Sequence, residues 1–201
     1  MNETVMFEMI KKEISNNLDK IIKEASLMKK SLSSKDYCLL CELEEIKGHF
    51  QKIQSTASSF YLEAYLAMYT PNYSALAKAS QNLSERRHGG LIVVERSQSV
   101  EPFIQKGVQL QAELSSTLLE SIFYPGNPLH DGGVVVRGNA IFSATNVLPL
   151  SSQRFTFKVG TRHRAAIGLS EICDALILVI SEETGKKSFA INGTLYPIST
   201  E

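Results

Sequence analysis

The chain has 201 residues, 43% of them hydrophobic, and its 21 acidic residues balance 21 Lys plus Arg. That is enough apolar chain for one compact domain with an extension, or for two small domains. The zero net charge excludes broad binding to nucleic acid or to a membrane surface, both of which want a basic excess.

No apolar run reaches the roughly 18 residues of a membrane span. The N-terminus lacks a basic-then-apolar signal pattern, because Lys11 and Lys12 follow an amphipathic start. Three cysteines suit a reducing compartment. The expectation is a soluble, cytoplasmic protein.

Residues 1–68 read as two helices. In the first, Met6, Ile10, Ile14, Leu18, Ile21, Ala25 and Met28 recur at helical spacing. Ser31-Leu32-Ser33-Ser34 breaks the pattern, and Ser33 with Asp36 resembles a capping box opening the second helix. There Leu39, Leu43, Ile46, Phe50, Ile53, Ala57, Phe60 and Ala64 step alternately by four and three, a heptad-like seam. Two long helices joined by a short break predict an antiparallel hairpin. Cys38 and Cys41 form a C-x-x-C within this helical pattern. No second pair completes a zinc site and no strand precedes them, so they are expected to be ordinary helix thiols. His49 is expected to be exposed.

Tyr69-Thr70-Pro71-Asn72 reads as a boundary, since Pro71 disfavours helix before it. A helix is predicted over residues 74–87, stopped by Gly89-Gly90. Leu91-Ile92-Val93-Val94 is a buried strand, and residues 114–123 are helical, with Leu114, Leu118 and Ile122 on one face. Pro125-Gly126-Asn127-Pro128 forms a rigid loop, and residues 133–136 and 140–144 form a hairpin around Gly138-Asn139. After a basic helix start at residues 160–166 come an apolar strand over 175–180, a loop at 181–185 and a short strand over 188–191. The predicted fold class is α/β, a mixed β-sheet flanked by helices over residues 72–201, with an N-terminal α-helical hairpin over 1–71.

Two stretches carry candidate chemistry. In Gly160-Thr161-Arg162-His163-Arg164 three basic side chains occupy a first helical turn, where the unpaired amides already carry about +0.5 charge. Either an anion takes those amides and the guanidinium forks, with Thr161 capping or donating to phosphate, or the arginines of a surface helix pair with nearby acids. In Leu129-His130-Asp131-Gly132-Gly133 a carboxylate and an imidazole stand beside bare backbone. Asp131 and His130 can hold Mg²⁺ or Mn²⁺ with phosphate oxygens, and Asp131 can take a proton from a hydroxyl. A tight Asp-Gly turn entering a strand is the other reading. Ser181-Glu182-Glu183 follows an apolar strand directly and offers a hydroxyl and a metal-ligating carboxylate, or else forms a solvated acidic turn. His49 and His88 receive no role.

These motifs resemble, in order, those of the diadenylate cyclases. Asp131-Gly132-Gly133 is similar to their D-G-A motif, and Arg162-His163-Arg164 matches their R-H-R motif. Pro128-Leu129-His130, Leu148-Pro149-Leu150-Ser151, Ala165-Ala166-Ile167-Gly168-Leu169-Ser170-Glu171 and Ser181-Glu182-Glu183-Thr184-Gly185 agree as context. The similarity spans about residues 90–190, and the helical extension resembles that of a soluble, sporulation-associated subgroup.

The resemblance implies an enzyme joining two ATP into cyclic di-AMP with release of pyrophosphate. It implies Asp131 near the attacking 3′-hydroxyl, and His130, Asp131 and Glu183 around a divalent metal, Mn or Mg. It implies Gly132, Gly133 and Leu148 against adenine and ribose, and Thr161, Arg162, His163, Arg164 and Ser181 on the triphosphate. The partners implied are ATP and a second copy of the chain, in a face-to-face dimer within a homo-oligomer such as a hexamer, with no nucleic acid and no membrane. The hairpin is then a candidate regulator that restrains productive pairing. Gly133 departs from the family's alanine, which should enlarge the base pocket slightly and loosen the turn. A non-catalytic sensor of ATP or cyclic dinucleotide is the alternative.

Overall fold

The computed structural model describes residues 3–32, 38–154 and 159–198. The expected Ser33–Asp36 capping box lies outside them. The chain divides into two compact units, one up to Tyr61 and one from Leu62.

In the first unit, helix α1 (Glu3–Ser31) meets the first half of helix α2 (Leu39–Tyr69). Lys52 lies 3.7 Å from Glu13, while His49 lies 3.4 Å from Asn17 and 3.2 Å from Glu24. The two helices therefore run antiparallel, as their shared short break predicts. His49 is only partly exposed, because these polar partners draw it into the hairpin. Ile21 is buried, whereas the seam residues Leu18, Leu43 and Phe50 stay 41%, 45% and 55% exposed: a two-helix layer covers only part of an apolar stripe. The expected pair of free thiols is corrected. Cys38 and Cys41 are joined in a disulfide with a Cα–Cα distance of 5.4 Å, within the range such a bridge requires. Cys38 ends at the start of α2, where its carbonyl accepts from the amides of Cys41 and Glu42, and this turn brings the two sulfurs together.

The second unit begins with the last turns of α2, where Leu62, Tyr65, Leu66 and Tyr69 pack on the main core. Helix α3 (Tyr73–Arg86) buries Ala75, Leu76, Ala79, Ser80 and Leu83 along one face. It ends before the two glycines expected to stop it. Arg87 adopts the left-handed conformation (φ 52°) and the amide of His88 bonds the Leu83 carbonyl, a cap made without glycine.

The strands are β1 (Gly90–Val94), β2 (Val108–Glu113), β3 (Gly133–Arg137), β4 (Ala140–Asn146), β5 (Leu176–Ile180), β6 (Lys187–Ile191) and β7 (Thr194–Pro197). They form one mixed seven-stranded sheet in the order β2-β4-β3-β1-β5-β6-β7. Only β1 and β3 pair in parallel; all other neighbours are antiparallel. On one face Ile92, Val94, Val134 and Leu178 pack under α3 and helix α4 (Ser116–Ile122). On the other Leu91, Val93, Val135 and Ile177 pack under helix α5 (Thr161–Ile172). Coverage on both faces explains why the central strands read as unbroken apolar runs.

Helix α4 starts two residues later than predicted. Ser115 caps it, accepting from the Leu118 amide at 3.3 Å, while Leu114 joins the sheet side. Strands β2 and β7 were not predicted, although Val108, Leu110 and Ala112 alternate with polar residues and Asn192-Gly193 is a hairpin turn signal.

Glu95, 7% exposed at the end of β1, takes two hydrogen bonds from the Arg137 guanidinium and one from the Val100 amide. Burial opposes its charge, but the bonds from Arg137, Val100 and Ser99 outweigh that and hold its carboxyl below the usual range. A depressed carboxyl contributes stability that is present above about pH 4.3, the unfolded value, and is lost as pH falls through the folded one. Glu95→Gln is expected to cost about 1.5–3 kcal/mol at neutral pH and to flatten the loss of stability below about pH 4.3. Denaturant titrations across pH measure both; parallel curves for the two proteins would contradict this.

Candidate functional site

One rim of the sheet collects the candidate residues. Gly133, the start of β3, pairs with Asn146, the end of β4; Gly90, the start of β1, pairs with Ile180, the end of β5. Two strand starts and two strand ends therefore open onto the same edge. The loops before β1 and β3 and after β4 and β5 all begin there, and the helix start of α5 follows the loop after β4.

The loop into β3 is organised by Asn127. Its side-chain oxygen accepts from the Leu129 amide at 2.9 Å, and its carbonyl accepts from the His130 amide at 3.0 Å and from His130 Nδ1 at 2.6 Å. A carbonyl only accepts, so Nδ1 is the donor in this contact. Asp131 is exposed, with Oδ1 accepting from the Gly132 amide at 3.0 Å. Gly132 sits at φ +86°, and a Cβ there would stand 2.8 Å from the Asn146 carbonyl, so only glycine suits this turn. Asn146, 1% exposed, bonds the Gly133 carbonyl, Ser143 and the Gly107 amide. It ties the turn to two neighbouring segments and was not singled out from the sequence.

The room that an alanine methyl would occupy at residue 133 is filled by Leu148, whose Cδ1 stands 2.7 Å from that position. Leu148 is itself 5% exposed within the core beneath α5. The missing methyl is thus offset by a neighbouring side chain and does not open free space.

At the start of α5, Gly160 is the N-cap in extended conformation and Thr161 is the first helical residue, with no side-chain cap. The three basic residues go to three different surroundings. Arg162 donates from Nη1 to Glu182 Oε2 at 2.7 Å and lies against Gly89, where a Cβ would stand 2.2 Å from Nη1. Burial, and then the charge of Arg162, hold the His163 imidazole below its usual pKa, with Glu183 opposing them. Arg164 donates from Nη2 to the Ser151 carbonyl at 2.9 Å, while its buried Nε has no partner among the described residues. The Ser151 amide returns a bond to the Arg164 carbonyl, and Gly168 lets residues 149–151 lie directly on α5.

After β5, the Ser181 hydroxyl accepts from the Thr184 amide at 3.2 Å and keeps its own proton to donate. Gly185 (φ +72°) closes the turn against Ser84 of α3. Glu182 is held below the usual carboxylate range, first by its bond to Arg162, with His130 and His88 adding to the effect. Both of those imidazoles therefore act at the same corner as Arg162. Sequence reading singled out neither Gly89 nor His88 there, although the Gly89-Gly90 pair before a strand was the available signal for a close approach.

Nitrogen and carboxylate donors at His130, Asp131 and Glu183 have the chemistry for Mn²⁺ or Mg²⁺. Among the described residues, however, no three His, Cys, Asp or Glu side chains stand together as a ready cage. Mg²⁺ commonly takes one or two carboxylates and fills its shell with phosphate oxygens and water, so a partial protein shell fits a metal that arrives with a nucleotide.

The family described as "DisA bacterial checkpoint controller nucleotide-binding" matches residues 77–195, more than half of the chain, and "Diadenylate cyclase CdaS, N-terminal" matches residues 1–69. The chain belongs to the diadenylate cyclase family. Among its relatives, the cyclic di-AMP synthase CdaS of Bacillus subtilis (strain 168) is 54% identical over 98% of this chain and 95% of its own length. The diadenylate cyclase CdaS of Bacillus thuringiensis (strain BMB171) is 50% identical over 99% of this chain and 100% of its own. A crystal structure of a hypothetical membrane spanning protein from Bacillus cereus aligns over 98% of both chains with a TM-score of 0.76 at 50% identity. No helix among the described residues of the present diadenylate cyclase family member is long and apolar enough to cross a membrane.

Asn146→Leu leaves the buried Gly133 carbonyl and Gly107 amide without their partner. It is expected to cost about 1–3 kcal/mol and to loosen the Asp131–Gly133 turn. Chemical denaturation checks the cost; a variant as stable as the parent would remove Asn146 from this role.

Proposed function

We propose that this chain is a diadenylate cyclase that converts two ATP into cyclic di-AMP and two pyrophosphates, working across two facing subunits. The observation that carries the reading is the single sheet rim on which the His130–Gly133 turn, the basic start of α5 and the Ser181–Glu183 loop meet. Close relatives named as cyclic di-AMP synthase or diadenylate cyclase support it.

Each subunit holds one ATP, and no protein side chain acts as nucleophile. The 3′-oxygen of one nucleotide forms a bond to the α-phosphorus of the other. The bond from that phosphorus to the bridging oxygen breaks, and pyrophosphate leaves with the electron pair. Asp131, exposed with one oxygen uncommitted, receives the hydroxyl proton. Repeating the step at the second nucleotide closes the ring, which requires two sites related by a two-fold axis.

Arg162, Arg164, the amides at the start of α5 and the Ser181 hydroxyl take the negative charge of the triphosphate. His163 adds a hydrogen-bond donor there. Gly132, Gly133 and Leu148 form the platform for the nucleoside. A divalent metal arriving with the nucleotide would draw on His130, Asp131 or Glu183 for part of its shell and would neutralise phosphate charge when bound. Residues 1–71 are assigned to assembly and regulation and residues 72–201 to catalysis.

Incubation with ATP and Mn²⁺ or Mg²⁺, followed by mass analysis, is expected to yield cyclic di-AMP and pyrophosphate. Bound ATP without conversion would select a sensor instead. Asp131→Asn is expected to keep the fold and abolish product. Arg162→Ala should lower turnover by about 2–4 kcal/mol of transition-state stabilisation, as for other preorganised donors; an unchanged rate in steady-state kinetics would remove Arg162 from the site.

A further inference from the structure

Arg162 occupies a slot with two defined walls. Gly89 forms one, because any side chain there would overlap the guanidinium, and the Glu182 carboxylate at 2.7 Å forms the other. The pair is lopsided in exposure. The Arg162 side chain is 26% exposed and that of Glu182 is 61% exposed. The arginine is therefore seated, while the glutamate reaches it from the solvent side and is free to swing away. Glu182 follows the start of the Ser181–Gly185 turn, whose backbone is fixed by the Gly185–Ser181 and Ser181–Lys186 bonds, so the carboxylate moves without moving the loop.

We propose that Glu182 is an exchange partner for the phosphate chain. Its carboxylate neutralises Arg162 when no nucleotide is bound, yields to phosphate oxygens when ATP docks, and returns to Arg162 as pyrophosphate leaves. The inference rests on the cyclase reading for the identity of the leaving anion.

The physical case is a competition between two anions for one guanidinium. An exposed carboxylate–arginine pair is weak, so a multiply charged phosphate at a helix start displaces it readily. While pyrophosphate is still the tail of ATP, the adenosine end helps to hold it. After the bond breaks, that tether is gone, whereas Glu182 remains tethered by the chain at a fixed effective concentration. The carboxylate therefore weakens the hold of the site on both anions, and the pyrophosphate, no longer tethered to adenosine, is the one released.

The test compares the parent with Glu182→Gln and Glu182→Asp. Inorganic pyrophosphate is titrated by calorimetry with and without Mg²⁺, and KM, kcat and product inhibition are measured with ATP. Glu182→Gln keeps the shape and removes the competing charge. Pyrophosphate should bind and inhibit roughly two- to fivefold more strongly, and KM for ATP should fall while kcat does not rise. Glu182→Asp keeps the charge and should stay near the parent. Weaker or unchanged pyrophosphate binding in Glu182→Gln would overturn the proposal and make Glu182 only a support that orients Arg162. Failure of the parent to convert ATP would sink the cyclase reading instead, and pyrophosphate calorimetry would still decide the exchange.

Discussion

Strand β1 runs parallel to β3 yet antiparallel to β5, and β3 runs antiparallel to β4. With this pattern, Gly90 and Gly133 enter the sheet at the rim where Asn146 and Ile180 leave it. The strand ends thereby bring distant stretches of chain to one rim. Valine, isoleucine and leucine on both faces of the central strands hold that register, since a slip of one residue would exchange the two cores. Asn146 fastens the rim from inside by bonding the Gly133 carbonyl at 2.9 Å and the Gly107 amide at 3.0 Å. The turn carrying Asp131 is anchored where it enters β3, and Gly132 and Gly89 stand where a side chain would meet Asn146 and Arg162.

The basic first turn of α5 would be unfavourable if its three side chains were left as free cations at a positive helix end. The structure disposes of each one separately. Glu182 pairs with Arg162, the Ser151 carbonyl takes a donor of Arg164, and burial disfavours the charged form of His163. These are weak or partial arrangements, of the kind the proposed phosphate site calls for. A strong internal partner would outcompete phosphate, and an absence of partners would leave the helix start strained. Of the two sequence readings of the basic turn, the pairing of an arginine with a nearby acid is the one the structure displays, in Arg162 and Glu182.

The hairpin follows a different logic. Its two helices bury Ile21 and hold His49 between Asn17 and Glu24, yet they leave much of their apolar seam uncovered. Helix α2 serves both units, with residues before Leu62 in the hairpin and Leu62, Tyr65, Leu66 and Tyr69 in the α/β core. Arg96 secures that last stretch. Its guanidinium stands 4.8 Å from the Tyr69 ring centroid and 5.8 Å from that of Tyr65, while Nη1 bonds the Asp174 carbonyl. The change of role falls within a continuous helix, so no break in periodicity marks it.

The sequence by itself determined the α/β class, the long helices, the buried central strands and the two motif-bearing stretches, because periodicity and glycine or proline punctuation are local properties. It also carried signals for β2 and β7 that alternation and the Asn192-Gly193 turn made legible. Only the tertiary structure decided that Gly89 makes room for Arg162, that Glu182 is the acid that meets it, and that Leu148 fills the space beside Gly133. Those pairings join residues tens of positions apart through strand register, and register is a property of the assembled sheet.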